Sequence, residues 1–102
     1  MKGFMIYART GCTCCSGENH YRGPYRTKEE AEARKRHFQE IALLASQYAR
    51  RGAYDIMEEE FEELPDGRLI EGRTVYAGFF KIGDNGEITE YPKDAETDAT
   101  YE

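Results

Sequence analysis

Cys12, Cys14, Cys15 and His20 fall within nine residues, and they include every cysteine of this 102-residue chain and one of its two histidines. No other stretch concentrates so much chemistry. Thiolate sulfur and neutral imidazole both donate electron pairs to zinc, and the two-residue gap between Cys12 and Cys15 lets the chain double back so that both sulfurs reach one tetrahedral ion. The same spacing suits a dithiol–disulfide couple, because Cys-x-x-Cys brings two sulfurs together and favours ionisation of the first. A third reading makes the cysteines small buried hydrophobes, with His20 hydrogen-bonded to the backbone of its own loop. Residue type alone leaves all three open.

Cys12-x2-Cys15-x4-His20 resembles the opening of a zinc knuckle, whose pattern is Cys-x2-Cys-x4-His-x4-Cys, and Cys15-Ser16-Gly17-Glu18-Asn19-His20 is similar to its small-residue middle. The resemblance covers about a tenth of the chain and implies a zinc ion on Cys12, Cys15 and His20. Tyr25 stands where the fourth ligand belongs, so Cys14, His37, an acidic residue or a partner would have to complete the tetrahedron. Knuckles stack and clamp unpaired bases with aromatic and basic groups, and that implies a partner-binding platform of Tyr21, Arg22, Tyr25 and Arg26. The run Met5 to Cys15 looks like the beginning of a glutaredoxin, where a strand enters Gly-Cys-x-x-Cys and the helix behind it acidifies the first thiol. By that likeness Cys12 is the nucleophile and Cys15 the resolving thiol. Gly17, Gly23 and Pro24 are poor material for the helix this requires.

The elements that must position these residues are legible from periodicity. Residues 2–8 carry Phe4, Met5, Ile6, Tyr7 and Ala8 without a polar face, which predicts a central strand. Residues 9–26, with Gly11, Gly17, Gly23 and Pro24, read as a long Cys/His loop holding at most a short extended piece over Tyr21 to Tyr25. Thr27-Lys28-Glu29-Glu30 is a capping box, so a helix is expected over 27–51, closed by Gly52. Its stripe is Ala31, Phe38, Ile41, Ala42, Ala45, Tyr48 and Ala49, widened by Leu44, with Arg34, Lys35 and Arg36 on the solvated side. Residues 53–91 read as β-hairpins. Tyr54 to Glu63 forms a strand whose Met57 and Phe61 face is interrupted by Glu59, which predicts an edge position or a bulge. Pro65-Asp66-Gly67 turns it back through Arg68 to Glu71. Thr74 to Ile82 is the most apolar strand, and Gly83-Asp84-Asn85-Gly86 turns it into Glu87 to Tyr91. Residues 93–102 read as an acidic tail.

Composition bounds the function. The chain is long enough for one core, and 1–92 is expected to be a single α+β domain, a small antiparallel sheet covered on one face by a single long helix in the order β-loop-α-β-β-β-β. The apolar run at the start is too short for a membrane span or a signal h-region, which predicts a cytoplasmic chain with reduced thiols. The formal net charge of −6 divides into +5 over residues 1–51 and −11 over residues 52–102. Such a division suits an acidic surface for a basic protein partner, head-to-tail self-association, or a basic patch for nucleic acid. The acidic run Glu58, Glu59, Glu60, Glu62 and Glu63 singles out no acid–base pair, and no P-loop, GxSxG, HExxH or EF-hand spacing is present. The sequence therefore points to a non-enzymatic binding or regulatory module of unknown protein partner, with zinc as the expected cofactor of its loop. A thiol oxidoreductase and a single-stranded nucleic-acid binder are the alternatives.

Overall fold

The computed structural model describes residues 1–10, 18–45, 53–95 and 100–101. Strands β1 (Lys2–Thr10) and β2 (Glu18–Tyr25) precede helix α1 (Lys28–Ala45) and strand β3 (Ala53–Glu60). Six short strands follow: β4 (Glu62–Glu63), β5 (Leu69–Glu71), β6 (Thr74–Tyr76), β7 (Lys81–Ile82), β8 (Ile88–Glu90) and β9 (Thr100–Tyr101). They build antiparallel sheets of order β3-β1-β2-β9, β4-β5-β6 and β7-β8. This is the expected α+β class, with one helix against antiparallel sheets.

Strand β1 is central because neither of its faces can be left in water. Ile6 packs towards the helix with Tyr25, Ala31, Ala33, Phe80 and Ile82, all buried. Met5, on the other face, packs with Phe61, Leu69 and Tyr76 beneath the small β4-β5-β6 sheet. In this second core the sheet comes very close to its cover at Gly3. A Cβ there would stand 2.7 Å from the Phe61 ring and 2.8 Å from Phe79.

The helix begins at the expected cap, where the Glu30 amide donates to Thr27 Oγ1 at 3.1 Å. The Glu30 carboxylate does more than close a capping box. It accepts the Thr27 hydroxyl at 3.3 Å and the Ile82 amide at 3.0 Å, tying the first turn of α1 to β7. Arg34 departs from its expected solvated place. It is half-buried, donates to the Gly86 carbonyl at 2.8 Å and lies 4.5 Å over the Phe38 ring. The β7–β8 turn crosses the helix there, which also buries Ala33, a position absent from the expected stripe. Residues 46–51 of the expected helix lie outside the described residues.

Three boundaries differ from the sequence expectation. The segment 9–26 is mostly strand, since Arg9 and Thr10 belong to β1 and residues 18–25 form β2. Gly23 and Pro24, which read as loop punctuation, sit instead in an irregularity of the β1–β2 ladder, one of the few sheet positions open to proline. The apolar run 74–82 is broken, because β6 pairs with β5 while β7 pairs with β8. Gly78, at φ +147°, allows that break. The tail rejoins the fold, with Ala95 packed on the helix-side core and β9 paired to β2 at Tyr21↔Tyr101 and Arg22↔Thr100.

Candidate functional site

The β1–β2 hairpin positions both halves of the sequence-derived site. Its register runs Ile6↔Arg22, Tyr7↔Tyr21, Ala8↔His20, Arg9↔Asn19 and Thr10↔Glu18. Paired residues Thr10 and Glu18 therefore hold the two ends of the segment 11–17 about 5 Å apart. Cys12, Cys14 and Cys15 belong to that segment and lie outside the described residues. His20 is in β2. The glutaredoxin-like start calls for a helix soon after Cys15, whereas residues 18–25 are strand.

The expected platform of Tyr21, Arg22, Tyr25 and Arg26 is dispersed. The ladder passes from Ile6↔Arg22 to Phe4↔Tyr25, so Gly23 and Pro24 together oppose the single residue Met5. That extra residue reverses the alternation of side chains beyond it. Tyr21 stays on the Tyr7 face, 42% exposed, while Tyr25 turns to the Phe4 and Ile6 face and is 0% exposed. Its ring packs near Phe80 and offers no surface for stacking. The Arg22 guanidinium lies 4.9 Å over Phe38 and that of Arg26 lies 4.5 Å over Phe79, so both cations are engaged by the protein's own rings.

Compared with known proteins, the chain matches no family model, no curated protein and no solved structure.

A groove of about 410 Å³ opens on the Tyr21 side of the sheet, lined by Tyr21, Met57, Glu59, Glu71, Thr74 and Tyr76. Four strands build it. Strand β3 contributes Met57 and Glu59, β2 contributes Tyr21, β5 contributes Glu71, and β6 contributes Thr74 and Tyr76. Tyr7 supports the wall, its ring centroid 5.1 Å from that of Tyr21. Met57 is 37% exposed, so the wall is apolar and open to solvent. Glu71 Oε2 is buried without a hydrogen-bond partner among the described residues. Burial first, and then the neighbouring Glu59 carboxylate, raise the Glu71 carboxyl above the ordinary carboxylate range. Ring faces and carboxylate oxygens both favour positive charge, so the chemistry of the groove suits a cation over an anion.

Beside the groove runs a second acidic cleft of about 690 Å³ lined by Met1, Glu60, Phe61, Glu62, Glu63, Ile70 and Gly72. Glu59 was legible in the sequence as part of an acidic run. Glu71 was not, because it stands alone between Ile70 and Gly72 and reaches Glu59 only through the β3–β4–β5 reversal. Among the described residues no group of three His, Cys, Asp or Glu is placed to hold a metal. Nor is any described helix long and apolar enough to cross a membrane.

Proposed function

We propose that this chain is a cytoplasmic, non-enzymatic binding module whose acidic, tyrosine-walled groove receives a lysine or arginine side chain of a basic protein partner. The observation that carries this reading is the placement of Glu59 and Glu71 in one groove with Tyr21, Met57 and Tyr76. A cation entering it relieves the repulsion between two carboxylates and covers exposed ring and thioether surface. Arg68, just before β5, is already paired with Asp66 at 2.6 Å. The −11 charge of residues 52–102 draws a basic partner and repels a polyanion at long range.

Titration of the protein with an acetylated (Lys-Val)4 peptide, an acetylated (Glu-Val)4 peptide and an oligothymidylate at low salt tests the reading. The lysine peptide binds, more weakly as salt rises, and loses affinity in the Glu59→Gln/Glu71→Gln variant. Equal or tighter binding of the oligonucleotide overturns it in favour of the nucleic-acid alternative.

A second reading concerns the loop. The Thr10↔Glu18 pair closes a seven-residue segment containing all three cysteines, with His20 two residues beyond Glu18 on β2. This supports a structural zinc ion on Cys12, Cys15 and His20, with Cys14 as a further ligand, that fastens the hairpin end. Zinc analysis of protein purified without chelator, paired with native and denatured thiol counts, tests it. Freely reactive thiols in metal-free native protein contradict it and direct attention to a Cys12–Cys15 redox couple.

A further inference from the structure

We infer that the basic partner docks as an added β-strand along the outer edge of β3, with alternate lysine or arginine side chains hanging over the groove. The inference rests on the proposal of a basic partner and adds how that partner is held.

Strand β3 stands last in its sheet and pairs with β1 without interruption from Lys2↔Glu60 to Arg9↔Ala53. Among the described residues no strand pairs with its other edge. An edge of eight residues presents about 26 Å of outward backbone, with alternate residues directing both N–H and C=O to solvent. Folded proteins commonly blunt such an edge with proline, a bulge or inward charge. Here Glu59 supplies a half-buried inward charge, while Ala-Tyr-Asp-Ile-Met-Glu-Glu-Glu contains no proline and its register with β1 is regular.

The edge carries charge of one sign, and this selects its occupant. Asp55, Glu58, Glu59 and Glu60 give β3 four carboxylates and no cation of its own. A second copy pairing through β3 would set these carboxylates against one another, so the strand excludes itself. Lys2 and the amino group of Met1 reach Glu58 at 3.9 Å and Glu60 at 2.9 Å from the β1 side. Even so, Glu58 stays 53% and Glu60 71% exposed at the side chain.

Alternation then fixes the pattern of the added strand. Asp55, Met57 and Glu59 share the groove face, while Tyr54 and Ile56 pack against the helix-side core. A strand laid beside β3 places every second residue next to Asp55, Met57 and Glu59 on the groove face, and the intervening ones next to Tyr54, Ile56, Glu58 and Glu60, of which Glu58 and Glu60 already meet Lys2 and the Met1 amino group. The matching segment is therefore an extended one with basic and apolar residues in alternation.

Two modified forms of the (Lys-Val)4 peptide separate strand addition from charge attraction, one N-methylated at every lysine and the other at every valine. Charge is unchanged in both. A strand offers the N–H groups of alternate residues to one neighbour, so one form loses affinity at least about tenfold and the other stays within about threefold of the parent. Hydrogen exchange in the parent complex slows at alternate amides between Ala53 and Glu60. Equal binding of both methylated forms without new protection in β3 overturns strand addition and leaves the groove reading standing. Protection in β3 that persists in Glu59→Gln/Glu71→Gln with undiminished affinity overturns the groove reading instead. Failure of the parent peptide to bind removes both.

Discussion

Tyr21 and Tyr25 lie four residues apart on one strand and on opposite sides of the sheet, the first 42% exposed and the second wholly buried. The irregularity at Gly23 and Pro24 opposite Met5 makes the difference. It assigns one ring to the groove and the other to the core, and the two should respond oppositely to substitution. Tyr21→Ala changes unfolding free energy by no more than about 0.5 kcal/mol and weakens binding of the (Lys-Val)4 peptide. Tyr25→Ala costs about 3–5 kcal/mol, the usual result of emptying a large aromatic site. Urea unfolding and peptide titration of both variants check the contrast.

Glu71 gives the stability a pH dependence of known sign. Its carboxyl is raised above the ordinary value of 4.5, so the folded state holds the proton more tightly than the unfolded chain does. The stability this contributes is present below the unfolded value and is lost as pH rises through the raised folded value. Glu71→Gln removes the loss. The variant is expected to melt above the wild-type protein at pH 8, with the advantage shrinking as pH falls towards about 4. Thermal melts across this range check it, and a Glu71→Gln protein less stable than wild type at pH 8 contradicts it.

Gly86 is the tightest point between the β7–β8 turn and the helix. A Cβ there would stand 2.5 Å from His37 Cβ and closer still to the Ala33 carbonyl oxygen, at a φ of +85°. Gly86→Ala must both move the turn off α1 and strain the backbone, at a cost of at least about 2 kcal/mol. Gly67, at φ +93° with open space around it, isolates the backbone part. Gly67→Ala costs about 1–2 kcal/mol. Chemical denaturation of the two variants separates the contributions.

Zinc on the hairpin loop predicts one ion per chain, and its loss in Cys12→Ser, Cys15→Ser and His20→Ala. Chelation of the wild-type protein should lower the melting temperature. Elemental analysis and melting with and without chelator check this. A Tyr25→Phe protein retains its zinc, since the position matching the fourth knuckle ligand is buried in the core.

Much of the fold is written locally. The Thr27 cap, the Pro65-Asp66-Gly67 turn, the Gly83 to Gly86 turn and the two apolar faces of β1 each depend on residues adjacent in sequence. Glu59 breaking the Met57 and Phe61 pattern marked an edge strand. What local pattern misses is what distant pairing decides. Residues 18–25 read as loop because glycine and proline punctuate them, and only β1 alongside makes them a strand. Residues 74–82 read as one strand because their apolarity is continuous, whereas their two ends join different sheets. The groove was illegible for the same reason. Glu71 has no neighbour in sequence to announce it, and the platform of Tyr21, Arg22, Tyr25 and Arg26 was drawn on a loop, where no strand alternation or Gly23–Pro24 irregularity separates Tyr21 from Tyr25.

The most direct test of the basic-partner account is a map of amide and methyl chemical-shift changes during titration with the acetylated (Lys-Val)4 peptide. The account predicts changes concentrated at Tyr21, Met57, Glu59, Glu71, Thr74 and Tyr76 and along β3, and their disappearance in Glu59→Gln/Glu71→Gln. Changes centred on Arg22, Arg26 and the loop 11–17, with the groove resonances unmoved, would contradict it.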